Sequence, residues 1–379
     1  MHTLQDIISK RGAIVIKVGT NLLTDKRTGV RRKRIMQLAR DVAFLRGLGH
    51  QVVIVSSGAI GAGVASLGLA RRPRTIPEKQ ATAAVGQPVL MESYQAAFRK
   101  LGMHVGQILL TGDDFTERKR YTNARNTLRA LFAQRVIPII NENDTIAVDE
   151  IKLGDNDNLS ALVASLLGAD LLVILSDVDG LYTDDPSKNP AAVRIPIVHS
   201  ITPDIEKLAR KSGSDLGTGG MVTKLQAARR CVASGVAMVI ANGEDPSVLK
   251  DILTGEIRGT LFLPGSGRLS GRKKWIGYVA KPRGSVTVDD GARSALLARH
   301  TSLLPSGIIA ISGEFRGQDT VSIVDRDGLE IARGVTNYSS ADLQRIRGKR
   351  SGELPQILGR PSRDEVIHKD NLVITGGKS

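Results

Sequence analysis

This sequence predicts an α/β fold, an open, mainly parallel sheet sandwiched by helices, followed by a small β-rich domain. Three observations carry the prediction. Upstream of Pro264, strand-like and helix-like segments alternate, the signature of a parallel sheet covered on both faces. The strand-like segments are near-continuous Val, Ile and Leu without polar alternation, which marks strands buried on both sides. Near Pro264-Gly-Ser-Gly267 the character changes to short β-branched segments separated by glycine turns. A chain of 379 residues exceeds the usual single-core size. The expected division is a domain over 1–264, a linker over 265–280 and a second domain over 281–379.

In chain order, Ile14–Val18 reads as the first strand. Residues 31–48 read as a helix, because Ile35, Leu38, Val42 and Leu45 recur at spacings of three or four. Residues 51–55 form the next strand and run directly into Ser56-Ser57-Gly58. Further strands are expected at 105–110, 136–140, 171–175 and 237–241. The apolar region from Ala161 to Leu175 is broken by Gly168 and Asp170. It is too short to span a bilayer and reads as a helix followed by a strand. In the second domain, residues 284–288, 307–311, 320–324 and 371–375 read as short strands.

Composition narrows the function. The 41% apolar and 24% charged fractions are ordinary for a globular protein. Aromatics at 3% argue against a base-stacking surface. The formal charge of +15 is denser downstream of Pro264, which suits anionic ligands or a solvated basic surface. Arg31-Arg-Lys-Arg34 and Arg71-Arg-Pro-Arg74 read as exposed basic faces. The single cysteine, Cys231, excludes an intrachain disulfide and sits in a helical pattern as a buried, inert thiol. With no apolar leader ahead of a cleavage site, a reducing cytoplasm is the expected location and no membrane association is expected.

The polar clusters fall just beyond the carboxyl ends of the strands: Gly19-Thr20, Ser56-Ser57-Gly58, Asn141-Glu-Asn-Asp144 and Ser176-Asp177. In open α/β sheets that crevice is where ligands bind. Lys17 ends an apolar strand, where a lysine is costly to bury without a partner. Lys224 follows the glycine-rich turn Gly217-Thr218-Gly219-Gly220-Met221, one turn into a helix. Bare backbone and a helix start favour an anion there. Two cations from distant points, with carboxylates and amides between them, suit phosphoryl transfer, which needs positioning and charge neutralisation above all. Neither a Walker A loop nor protein-kinase elements are present. Ser56-Ser57-Gly58, Asn141-Glu-Asn-Asp144 and Asp155-Asn156-Asp157 offer a mix that could hold an amino acid: carboxylates for its ammonium, amides and hydroxyls for its carboxylates. The six histidines lack metal-ligand spacing, so no protein-held metal is expected; Mg2+ would arrive on the nucleotide.

Together these residues resemble the amino acid kinase family, and within it the members that act on glutamate. The resemblance rests on Val15-Ile-Lys-Val-Gly-Thr20, Val55-Ser-Ser-Gly-Ala59, Ile140-Asn-Glu-Asn-Asp-Thr145, Gly154-Asp-Asn-Asp-Asn-Leu-Ser160, Ser176-Asp-Val-Asp-Gly-Leu-Tyr182 and Gly217-Thr-Gly-Gly-Met-Val-Thr-Lys224. The second domain resembles a PUA domain, on Gly328-Leu-Glu-Ile-Ala-Arg-Gly-Val335 and Asp364-Glu-Val-Ile-His-Lys-Asp-Asn-Leu-Val373.

What the resemblance implies is an amino acid kinase fold with a PUA-like domain behind it. The implied activity is ATP-dependent phosphorylation of the side-chain carboxylate of L-glutamate, the first step of proline biosynthesis. Lys17 and Lys224 would stabilise the phosphoryl group in flight, with Asp157 orienting them. Ser57, Asp144 and Asn156 would bind glutamate. Lys17, Ser176, Asp177, Thr218, Gly219, Gly220, Met221, Val222, Thr223 and Lys224 would line the ATP site. Proline feedback inhibition, a homo-oligomer and handover of the acyl phosphate to glutamyl-phosphate reductase are implied as well. Two other readings differ in class or acceptor. One is an RNA-binding protein using the PUA-like domain, against which the scarce aromatics speak. The other is a kinase acting on aspartate or acetylglutamate.

Overall fold

The computed structural model describes every residue except 1–2, 10, 26–28, 148–155, 212–219, 265–272, 274–275, 278–279, 281, 300 and 377–379. The chain separates into two compact units, Met1–Arg268 and Leu269–Ser379.

The first unit is built on an eight-stranded sheet. Its strands are β1 (Ala13–Val18), β2 (Gln51–Ser56), β3 (Val105–Leu110), β4 (Ile137–Glu142), β5 (Leu171–Ser176), β6 (Ile197–Val198), β7 (Ala237–Asn242) and β8 (Thr260–Phe262). The spatial order is β3-β4-β2-β1-β5-β7-β8-β6, and every pair is parallel except β7 with β8. The apolar runs therefore form the sheet they predict, each expected strand within two residues of its bounds, and β6 and β8 are additions.

Alternation along β1 distributes its side chains between the two faces. Ile14, Ile16 and Val18 join the core formed with helices α1 (Arg32–Gly47) and α3 (Ile76–Arg99), through Leu38, Val42, Leu90, Tyr94 and Phe98. Val15 and Lys17 consequently point to the opposite face, where helix α5 (Asn156–Leu167) lies across β1, β2 and β5. Each fully buried Val, Leu or Ile here is worth roughly 1.5–3 kcal/mol, so shifting β1 by one residue is prohibitive. The position of Lys17 is fixed with it. The region 161–175 is indeed a helix end followed by β5, and among the described residues no helix is long and apolar enough to cross a membrane. Cys231, on α6 (Met221–Ala233), is fully buried, and burial pushes its thiol pKa up.

Helix α3 was not legible in the periodicity, since Gly86 and Pro88 stand inside its 24 residues. It starts from a capping box, with the Thr75 hydroxyl accepting from the Glu78 amide and the Glu78 carboxylate accepting from the Thr75 amide. Gly86 is required by packing. A Cβ there would lie 1.9 Å from the Ala59 carbonyl oxygen, so only hydrogen lets α3 cross helix α2 (Ala59–Ser66) backbone to backbone. Gly58, which precedes α2, takes φ 101, a left-handed conformation that favours glycine. These two glycines bring the middle of α3 beneath the loop after β2. Helix α4 (Arg118–Ala133) is a further element that the sequence reading did not mark.

The basic run at the start of α1 departs from its expected exposure. Arg31 and Arg34 are half-buried, and Arg31 grips Glu244 through two hydrogen bonds of 2.6 and 2.9 Å. The second run behaves as expected: Arg71, Arg72 and Arg74 are exposed.

The second unit holds a five-stranded sheet of β9 (Ser285–Val288), β10 (Ile308–Ser312), β11 (Thr320–Val324), β12 (Glu330–Val335) and β13 (Leu372–Ile374), in the order β10-β9-β11-β12-β13. Val286, Val288, Val321, Ile323, Ile331 and Val366 form its core. Strand β12 and a helix at Asp290–Arg299 are additions to the expected elements. Much of the expected linker lies outside the described residues. Its described part is packed chain: Ile276 and Ala280 are buried, and Gly277 lies against Val373.

Candidate active site

Because β1, β2, β4 and β5 run parallel and in register, their carboxyl ends open on one edge of the sheet. Lys17 pairs across to Val55 and Ile174, and Val18 to Ser56 and Leu175. The first turn of α5 meets this edge and supplies Asp157, a carboxylate favoured by the helix dipole.

Asp157 is completely buried and holds two ammonium groups at once. Lys17 Nζ lies 2.6 Å from its Oδ1 and Lys224 Nζ 3.2 Å from its Oδ2. Lys17 and Lys224 are only 4% and 3% exposed, so all three charges are desolvated. Thr223 Oγ1 donates to Asp157 Oδ2 at 3.1 Å. Lys224 reaches the cluster from the first turn of α6, whose cap is Gly220; bare backbone faces outward there, with nothing near the place a Cβ would occupy. Gly19 also lies beside the cluster: a Cβ there would stand 3.9 Å from Lys17 Nζ and 3.5 Å from the Leu175 carbonyl oxygen. The trio of Lys17, Lys224 and Asp157 carries one net positive charge, which a buried site tolerates best when an anion joins it.

A second cluster lies one residue earlier on α5. Asn156 Nδ2 donates to Ser57 Oγ at 2.9 Å, to the Ser56 carbonyl at 3.1 Å and to Asn141 Oδ1 at 3.1 Å. Asn141 Nδ2 donates to Gln87 Oε1 of α3 at 2.9 Å, and the Ser56 hydroxyl is 3.0 Å from the Tyr94 hydroxyl. Asp144 follows β4 and is half-buried. Beyond β5, Asp177 accepts from the Ser176 hydroxyl at 2.9 Å and from Asn21 Nδ2 at 3.2 Å. Burial alone would raise its pKa. The hydrogen bonds from Ser176, its own backbone amide and Asn21, with the charge of Lys224, outweigh burial and hold the carboxyl below its ordinary value.

The structure thus brings Lys17, Lys224, Asp157 and Thr223 into one contact group, and Ser57 with Asn156 into another immediately beside it. Met221 is buried and Val222 is exposed on the same turn of α6. Thr218 and Gly219 lie outside the described residues. Gln87, Tyr94 and Asn21 were missed in the sequence reading. The polar Gln87 between Gly86 and Pro88 in an otherwise apolar stretch was the signal available for the first. Chemically, the arrangement can neutralise and orient an anion between two ammonium groups while an amide-rich pocket holds a second, polar molecule next to it.

Comparison with known proteins agrees in scope. The amino acid kinase family model matches residues 12–242, and the PUA domain model matches residues 284–358. A glutamate 5-kinase of Geobacter sp. strain M21 is 50% identical over 370 residues, covering 98% of this chain and 99% of the relative. The glutamate 5-kinase of Geobacter sulfurreducens is 51% identical over 368 residues, covering 97% of this chain and 99% of the relative. Among solved structures, the carbamate kinase from Giardia lamblia bound to AMP-PNP overlays with a TM-score of 0.48 at 20% identity, covering 68% of this chain and 99% of that one.

Proposed function

The chain belongs to the amino acid kinase family, and we propose that within it the enzyme phosphorylates the side-chain carboxylate of L-glutamate with ATP, giving L-glutamyl 5-phosphate and ADP. The observation that carries this reading is the pair of lysines on opposite oxygens of Asp157. The shared name of the Geobacter relatives supports glutamate as acceptor.

The chemistry needs no general base, because the acceptor carboxylate is ionised near neutral pH. An oxygen of that carboxylate attacks the γ-phosphorus, the bond to the bridging oxygen breaks, and ADP leaves with the electron pair. Both reactants are anions, so their repulsion is the principal obstacle. Lys17 and Lys224 offset it, stabilising the charge on the transferred group more in flight than at rest. Asp157 holds the two ammonium groups in register for that task. Ser57, Asp144 and Asn156 bind glutamate. Ser176, Asp177 and the stretch Thr218–Lys224 line the ATP site. Asp157 already spends both oxygens on lysines, which suits a Mg2+ ion held by the nucleotide's phosphates and water.

This reading places the reaction at the first step of proline biosynthesis in the cytoplasm, with proline as feedback inhibitor. It includes a homo-oligomeric enzyme and handover of the labile acyl phosphate to glutamyl-phosphate reductase. A coupled ADP-release assay over an acceptor panel, with hydroxylamine trapping of the acyl phosphate, tests it. Glutamate should give both ADP and a hydroxamate. ADP release with aspartate or acetylglutamate instead of glutamate would overturn the assignment.

A further inference from the structure

The glutamate-binding side of the site rests on a relay of carboxamides that begins on α3. Its polarity follows from two groups that have no choice of role. The Glu142 backbone N–H, which can only donate, lies 2.9 Å from Asn141 Oδ1. The Ser56 carbonyl, which can only accept, lies 3.1 Å from Asn156 Nδ2. Both amides are therefore fixed in orientation by their partners. Asn141 must turn its NH2 group toward α3, where Gln87 Oε1 receives it at 2.9 Å. Asn156 must turn its carbonyl oxygen away from the relay. That Oδ1 is buried and has no hydrogen-bond partner among the described residues. A buried acceptor left open is a place for a ligand's donor.

From this we propose that Gln87 is a positioning residue of the acceptor pocket. It holds Asn141, and through it the Asn156 carboxamide, so that Asn156 Oδ1 meets the ammonium group of an α-amino dicarboxylate. The inference rests on the glutamate kinase reading and deepens it. Gln87 is well suited to the task because it is 9% exposed and follows Gly86, whose backbone packs against Ala59 and Gly63 of α2. The lysine pair is held separately by Asp157, so the relay governs which acceptor binds and leaves the transfer step alone.

Gln87→Met keeps the length and volume of the side chain but cannot accept from Asn141. Its expected effect is a rise in KM for glutamate of roughly tenfold, the usual scale for one buried donor left unpaired, with KM for ATP unchanged. The preference for glutamate over glutarate, which lacks the ammonium group, should fall by a similar factor. Gln87→Glu retains an acceptor oxygen and should restore both values. Gln87→Ala, which adds no bulk, serves as a second disrupting variant if Gln87→Met does not fold. A merely structural role would lower the activity toward both acceptors equally and leave their ratio intact, which would overturn the proposal. If the unaltered enzyme releases no ADP with glutamate, the kinase reading fails. If it does, and both disrupting variants keep the glutamate KM and the glutarate ratio, the relay alone is refuted.

Discussion

Lys17 Nζ stands 2.6 Å from Asp157 Oδ1, the one at the end of a buried strand and the other in the first turn of a helix far along the chain. The remaining oxygen of the same carboxylate holds Lys224. Removing three charges from water is unfavourable unless they are closely paired. Here one carboxylate serves two cations, an arrangement suited to receiving an anion beside them. The proposed role of the pair is to stabilise a phosphoryl group in transfer.

Asp157→Asn preserves shape but removes the carboxylate that two buried ammonium groups share. The variant should lose about 3–5 kcal/mol of stability, together with most of its turnover. Urea unfolding measured beside a rate assay checks this. An unchanged midpoint would mean the lysines do not depend on Asp157.

Asp144→Ala should raise the glutamate KM by roughly tenfold or more, because a half-buried carboxylate at the end of β4 is proposed to face the substrate. The KM for ATP should hold. Steady-state kinetics with each substrate varied in turn separates the two, and an unaltered glutamate KM removes Asp144 from the pocket.

Asp41 on α1 predicts a pH effect on stability. Burial pushes its pKa up to about 6, against the hydrogen bond from Gln37 and the charge of Arg34, which pull it down. The folded protein therefore holds this proton more tightly than the unfolded chain, whose carboxyl titrates near 3.8. Stability from this group falls as pH rises between those values and stays lower above them. Asp41→Asn should raise Tm by roughly a few degrees above pH 6, with the gain vanishing toward pH 4. Paired melts at low and neutral pH test the sign; a gain that grows on acidification would contradict it.

Removal of the second unit should leave basal turnover within about threefold, since each unit has its own core and domains of that kind fold alone. Lys17, Lys224 and Asp157 all belong to Met1–Arg268. Loss of all activity in a folded truncated chain would show that the PUA-like unit contributes to the site.

Much of this was readable because burial imposes simple patterns. The apolar runs at β1, β2, β4, β5 and β7 announced a parallel sheet, and a lysine ending one of them had to be explained by a partner. Asp157 was legible as that partner only through the family resemblance, since nothing in residue spacing brings α5 over β1. Helix α3 stayed hidden because Gly86 and Pro88 break the local rule, and the reason for Gly86 is tertiary: α2 packs where a Cβ would stand. Gln87 was hidden with it. The half-burial of Arg31 was unreadable for the same kind of cause, as Glu244 comes from the loop after β7.

Turnover of Lys224→Ala tests the central claim most directly. With one of two ammonium groups gone, kcat should fall roughly 10²–10³-fold, the scale for losing one preorganised charge-stabilising donor, while KM for glutamate changes little. A folded variant that turns over at the unaltered rate would contradict the account.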